Sequence, residues 1–177
     1  MNNLYILCGP SGSGKTTLAE GLEKFHGASL ITSYTDRPRR DEGEYNHIFI
    51  PSDMFSKLPS KLAYHEHYGY RYCVTREQLM RFDIGVFDPS GIRDILRNFR
   101  ERNIVVIGLT IDPPEAFERM IERGDDVKDA ARRLKMDALM FNKFEELCDV
   151  TFNAGQSKEK LREKVWSYIM TNEARKV

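Results

Sequence analysis

The 177 residues carry 27 Lys+Arg against 27 Asp+Glu, with 41% hydrophobic and 31% charged residues, an ordinary balance for one globular domain with a single sizeable core. Zero formal net charge leaves no overall field to draw the chain onto nucleic acid or an anionic membrane, so phosphate affinity has to come from local basic clusters. Three well-separated cysteines, Cys8, Cys73 and Cys148, with no CxxC pair, argue against a disulfide framework or zinc ribbon and for free thiols in a reducing compartment.

In chain order, residues 4–8 read as a buried strand, with no basic leader ahead of them and no signal-peptide pattern. A glycine loop follows, then a helix over 16–25. Residues 29–33 read as a second strand and 84–88 as a third, with helix signals over 90–100. Residues 104–111 form a fourth strand; their continuous Val/Ile-rich run suits a parallel strand covered on both faces and is too short to span a bilayer. Pro113 and Pro114 open a helix to about residue 123, a place where proline is tolerated. A long charged helix is expected over 127–147, a weak fifth strand over 150–152 and a last helix from 157. Alternating strand and helix predicts an α/β fold with a parallel sheet. One stretch, 34–81, breaks the alternation. It has short aromatic-rich strands at 45–50, 62–67 and 71–75 and a short helix at 53–57, and reads as an inserted small β-rich subdomain.

Gly9-Pro10-Ser11-Gly12-Ser13-Gly14-Lys15-Thr16 fits GxxxxGK[ST] between a predicted strand and a predicted helix. Glycines let the backbone wrap closely and turn its N–H groups inward as an anion nest, and the helix N-terminus adds partial positive charge. Lys15 is expected to reach the β- and γ-phosphates of a nucleotide, and the Thr16 hydroxyl to ligate Mg²⁺, which prefers oxygen. The motif by itself does not separate a kinase from a GTPase or an ATPase. No DxxG element followed by NKxD is present to read guanine as a GTPase does.

The form GPSGSGKTT, continued by Thr17, resembles guanylate kinase. So does Ser33-Tyr34-Thr35-Asp36-Arg37-Pro38-Arg39-Arg40, which is similar to that family's S-x-T-T-R-x-P-R segment. Gly69-Tyr70-Arg71-Tyr72 resembles its G-N-x-Y turn, and Phe87-Asp88-Pro89-Ser90-Gly91-Ile92 its D-x-x-G-V element. Arg119 to Gly124 with Arg132-Arg133-Leu134 resembles its R-L-x-x-R-G…R-L lid, and Asp149 to Asn153 its closing strand. The resemblance covers nearly the whole chain in order. It implies a P-loop NTPase three-layer sandwich with a parallel sheet (core 1–33 and 82–177), an NMP-binding subdomain over 34–81 and a lid at about 123–131. It also implies ATP and Mg²⁺ as cofactors, a small-molecule acceptor rather than nucleic acid or membrane, a cytoplasmic location, and a monomer or homodimer.

On that resemblance Gly9, Ser11, Gly12, Ser13, Gly14, Lys15, Thr16, Thr17, Arg119 and Asn153 would bind ATP. Lys15, Arg37, Arg123 and Arg133 would act in catalysis, and Ser33, Arg37, Arg40, Tyr72 and Asp88 would hold the acceptor, with Thr16 and Asp88 on the metal. Paired arginines suit an acceptor phosphate because the planar fork donates bidentate bonds. Asp88 could equally cap the helix after it. The base pocket departs from the family. Glu42 or Glu44 could supply the first carboxylate, whereas the second family position falls on Ala63, with Glu66 three residues away. His47 stands where the family has Tyr, and the family's small hydroxyl residue falls on Val74, with Thr75 next to it. The leading acceptor is GMP or dGMP. Another nucleoside monophosphate, ribose 1,5-bisphosphate and a non-catalytic interaction module are the alternatives. His65-Glu66-His67 alternates like a strand metal site, but no other ligand cluster accompanies it.

Overall fold

The computed structural model describes residues 1–39, 42, 44, 47–67 and 69–175, with nothing described of the His67 side chain. Two sheets organise them. The larger is parallel throughout, with strand order β6-β1-β7-β8: β1 (Asn3–Cys8), β6 (Ile84–Val86), β7 (Asn103–Thr110) and β8 (Val150–Asn153). Its residues alternate between two cores, as a period of two requires. Tyr5, Leu7, Val105, Ile107 and Leu109 face one core with Leu18 and Leu22 of α1 (Lys15–His26) and Val165 and Ile169 of α7 (Lys158–Ala174). Leu4, Ile6, Cys8 and Val106 face the other, with Ile92 and Ile95 of α4 (Pro89–Asn98) and with Phe144. The result is a three-layer α/β/α sandwich.

The second sheet has order β3-β2-β5-β4: β2 (Tyr34–Thr35), β3 (Ile48–Phe49), β4 (Lys61–His67) and β5 (Tyr70–Thr75). It joins the larger sheet's second core through Leu62, Ala63 and Val74. α2 (Ser52–Lys57) precedes β4, and α3 (Arg76–Arg81) follows β5. The remaining helices are α5 (Pro113–Glu122) and α6 (Val127–Met140), then a 3₁₀ turn over Phe144–Leu147.

Three expectations are corrected. Residues 29–33 are not a strand: they make one bridge, Leu30 to Ile84, since the Ser29 N–H goes to the Asp83 carboxylate and the Ser33 carbonyl already accepts the Ile48 N–H from the second sheet. The helix expected over 127–147 stops at Met140, since Lys143 adopts a left-handed φ of 56° and the chain restarts as a 3₁₀ turn that buries Phe144 against Phe141. Of the strand expected over 45–50, Ile48–Phe49 is observed, paired parallel to β2; Tyr45 and Asn46 lie outside the described residues.

Candidate functional site

Both candidate cavities open at the carboxyl ends of parallel strands, where α/β folds place ligands. The first begins at β1. Gly9 passes so close to β7 that a Cβ there would sit 2.5 Å from the Leu109 carbonyl oxygen, and one on Gly12 (φ 76°) would sit 2.6 Å from that of Ala116. The loop backbone is therefore pressed onto its supports, and only glycine fits at either point. Gly14 enters α1 in the left-handed region with no side-chain cap and no acidic residue in the first turn, which leaves the helix N-terminus open to an anion. Ser13 has a buried hydroxyl with no partner among the described residues, a polar atom suited to a ligand that brings its own oxygens.

The cavity so formed measures about 790 Å³ and is lined by residues 11–18, by Arg119, Arg123 and Arg133, and by the turn that opens α7. Lys15 donates to the Pro10 carbonyl at 2.9 Å. Burial pushes its ammonium down to about 8, opposed by the Asp137 carboxylate and aided by the nearby Arg123 charge. A phosphate would restore the charge that burial removes. Thr16 and Thr17 are exposed at the mouth. Arg119 is tethered to Glu115 at 2.8 Å and to the Ala154 carbonyl at 2.7 Å. Arg123 forks onto Asp125 at 3.1 and 2.6 Å, and Arg133 approaches the same carboxylate at 3.9 Å. Bonding to Arg123 holds the Asp125 carboxyl below its usual range. Asn153 does not line the cavity: its side chain accepts the Gly155 N–H at 2.6 Å, while Ala154 and Gln156 form the wall.

The second cavity, about 310 Å³, lies between the carboxyl end of β6 and the second sheet. Ser33, Arg37, Glu44, His47, Tyr72 and Asp88 all line it. Arg37 is nearly buried. Its Nε donates to the Tyr72 hydroxyl at 3.1 Å, and its two terminal nitrogens donate to Glu44 at 3.2 and 2.5 Å. Tyr72 contacts two histidines, with His65 stacked 5.1 Å away and His47 edge-on at 5.4 Å. Asp88 performs the capping role open to it in the sequence: one carboxylate oxygen accepts the Gly91 N–H and the Ser90 hydroxyl, each at 2.7 Å. It still faces the cavity. β1, which leads into the glycine loop, and β6, which leads into Asp88, are paired parallel neighbours with Leu7 opposite Val86, so the two cavities open at adjacent strand ends.

Two sequence candidates are engaged elsewhere. Glu66 accepts the Tyr64 hydroxyl at 2.5 Å and is not in the cavity wall. Thr75 is buried and caps α3, where Gln78 returns the bond to the Thr75 N–H. Arg40 lies outside the described residues. The wall also contains residues that sequence reasoning did not assign: His65, Val86, Phe87 and Gly91. The β-bulge between Leu62 and His65, where Ala63 takes φ 49°, carries Ala63 and His65 to this wall, and strand alternation does not foretell it. Asp137 was missed as well, although it stands one helical turn beyond Arg133 and so on the same face of α6.

Thr16 lines the first cavity and Asp88 the second, each with an oxygen donor. Mg²⁺ keeps its waters and takes one or two protein ligands beside substrate phosphates, so this set fits the ion. No group of three or more His, Cys, Asp or Glu suited to a metal occurs among the described residues. No helix among them is long and apolar enough to cross a membrane.

No protein-family model matches the chain. A curated guanylate kinase of Histophilus somni (strain 129Pt) is 33% identical over 172 residues, covering 86% of this chain and 80% of the relative. A guanylate kinase of Alkalilimnicola ehrlichii is 31% identical over 151 residues, covering 77% and 72%. Among solved structures, a guanylate kinase from Anaplasma phagocytophilum matches with a TM-score of 0.64 at 19% identity, over 97% of this chain and 86% of that one, a likeness of fold.

Proposed function

The chain belongs to the guanylate kinase family, and from that premise we propose that it transfers the γ-phosphate of ATP to a nucleoside monophosphate, GMP or dGMP first among them. One observation carries the reading: a glycine-cradled phosphate cavity and an arginine-bearing acceptor cavity open at the ends of two paired parallel strands, β1 and β6. Phosphoryl transfer asks the protein for in-line positioning and charge neutralisation rather than covalent help.

In the donor cavity the loop N–H groups and Lys15 hold the ATP phosphates, with Arg119 beside the loop. Arg123 and Arg133 exchange Asp125 for the charge that develops on the transferring group. In the acceptor cavity Arg37 grips the monophosphate with Tyr72, while Ser33, Glu44 and His47 surround the nucleoside. Thr16 and Asp88 would hold Mg²⁺, which when bound would neutralise phosphate charge. The segment 34–81 is the acceptor-binding subdomain and 123–131 the lid; their closure excludes water, which would otherwise take the phosphate.

The base end of the acceptor cavity dictates the assay. Ala63, Cys73 and Val74 line it, where guanine recognition asks for a carboxylate and a hydroxyl. ADP release from Mg·ATP is therefore measured against GMP, dGMP, the other NMPs and dNMPs, ribose 1,5-bisphosphate and a no-acceptor control. Turnover with GMP or dGMP is expected. Turnover with another acceptor alone would move the substrate and keep the mechanism. The absence of acceptor-dependent turnover would overturn the kinase reading.

A further inference from the structure

Asp137 reaches into the phosphate loop. Its carboxylate accepts the backbone N–H of Ser11 at 2.7 Å in a part-buried contact. That N–H belongs to the nest whose ordinary ligand is a phosphate oxygen. The same carboxylate is, after burial, the largest influence on the Lys15 ammonium, and it favours the charged form. Asp137 thus gives the loop both things a phosphate would give: an acceptor for a nest donor and a counter-charge for the lysine. Its position is built in. α6 begins on an Asp126 cap, with Asp126 accepting from Lys128 at 2.9 Å, and presents Arg133 and Asp137 one turn apart. Arg133 lines the donor cavity.

We propose that Asp137 is a resident anion of the P-loop, an affinity-setting residue that the nucleotide's phosphate displaces from the Ser11 N–H. A single N–H offers one strong bond. A carboxylate and a phosphate at the same donor would repel each other in a part-buried site, where screening is weak. Nucleotide binding is then an exchange of one anion for another. The free energy of the Asp137 contact subtracts from nucleotide affinity, and its release frees the end of α6 that follows Arg133. The arginine and the aspartate on this face act in turn, the second holding the loop until phosphate arrives and the first then meeting that phosphate.

The test is calorimetric titration of Mg·ADP into the wild type and into Asp137→Asn and Asp137→Ala, with melting temperatures taken with and without saturating Mg·ADP. Both variants are expected to bind ADP about tenfold more tightly, the equivalent of one charged hydrogen bond no longer opposed. Their melting temperature without nucleotide should fall or stay level, so that the rise on adding ADP grows. Unchanged or weaker ADP binding in both variants would overturn the proposal, since the carboxylate would then be holding the loop in its nucleotide-binding shape. Absence of ADP binding by the wild type would overturn the kinase reading along with it. Failure confined to the variants leaves that reading intact.

Discussion

At Arg37 one side chain carries two obligations. Its guanidinium is 9% exposed and its partner Glu44 10%, so each is desolvated and each needs the other. Bonding to Glu44 raises its already high pKa further, which keeps the fork charged at any working pH. Glu44 entered as a reader of the base; in the structure both its oxygens accept from Arg37, so Glu44 occupies the fork and has to yield it for a phosphate to be held by both terminal nitrogens. The fork, rather than the charge alone, is what a phosphate recognises. Arg37→Lys keeps the charge and loses the fork. It should lower kcat/KM for the acceptor by about 100-fold while leaving KM for ATP unaltered. Steady-state kinetics with each substrate varied in turn decides this; an equal loss on both sides would place Arg37 outside the acceptor site.

At the scale of elements, helix ends set much of the site, and their signals differ in how openly the sequence shows them. Thr75 and Gln78 form a reciprocal capping box on α3. Thr75→Ala should cost about 1 kcal/mol and lower Tm by roughly 2–4 °C in a thermal melt; an unmoved melt would mean that Gln78 holds the turn alone. At the junction of α5 and α6, Asp125 holds Arg123 and comes within 3.9 Å of Arg133. If these arginines serve the transferring phosphate, Arg123→Ala should reduce kcat by about 100-fold or more with little change in ADP affinity. Calorimetry beside turnover separates the two effects, and a matching loss of ADP affinity would make Arg123 a ground-state ligand only. The run β1–P-loop–α1 was legible because three signals coincide there: an apolar strand, obligatory glycines and a lysine before a helix. The break of α6 at Lys143 was not, because a charged helical pattern continues through it and only the burial of Phe144 makes the left-handed residue worthwhile. β3 falls within the strand expected over 45–50, but its partner β2 was missed for a similar reason: two residues carry no periodicity. The acceptor wall formed by His65 and Ala63 depends on a bulge, which lives in the register between two strands rather than in either one.

At the scale of the molecule, the two ends of the described fold are joined through one carboxylate. Glu173, near the end of α7, accepts the Asn2 N–H at 2.7 Å, the Asn3 N–H at 3.1 Å, the Asn3 side-chain amide at 2.7 Å and the Tyr5 hydroxyl at 2.9 Å. It thereby pins the last helix to β1, the strand that delivers the P-loop. The bonded partners are themselves buried: Tyr5 is fully enclosed and Asn3 is 1% exposed, so losing the acceptor would strand donors out of reach of water. Glu173→Ala should therefore cost about 2–3 kcal/mol and lower Tm by roughly 5–10 °C, although the residue touches neither cavity. The dependence on pH follows from the carboxyl's environment. Burial works to raise its pKa, but the Asn2 and Asn3 N–H groups with Tyr5 and Asn3 outweigh burial and hold it below the usual glutamate value. A carboxyl depressed in the folded state contributes stability that is complete above its unfolded pKa, about 4.3, and is lost as pH falls through the lower folded value. The wild type's advantage in Tm over Glu173→Gln should be constant from pH 7 to about 5 and shrink below about 4. Melts of both proteins across that range decide it. An advantage that persisted undiminished into strong acid would show that the carboxylate's charge is not its source, since the protonated acid would then hold α7 to β1 as well as the ion does.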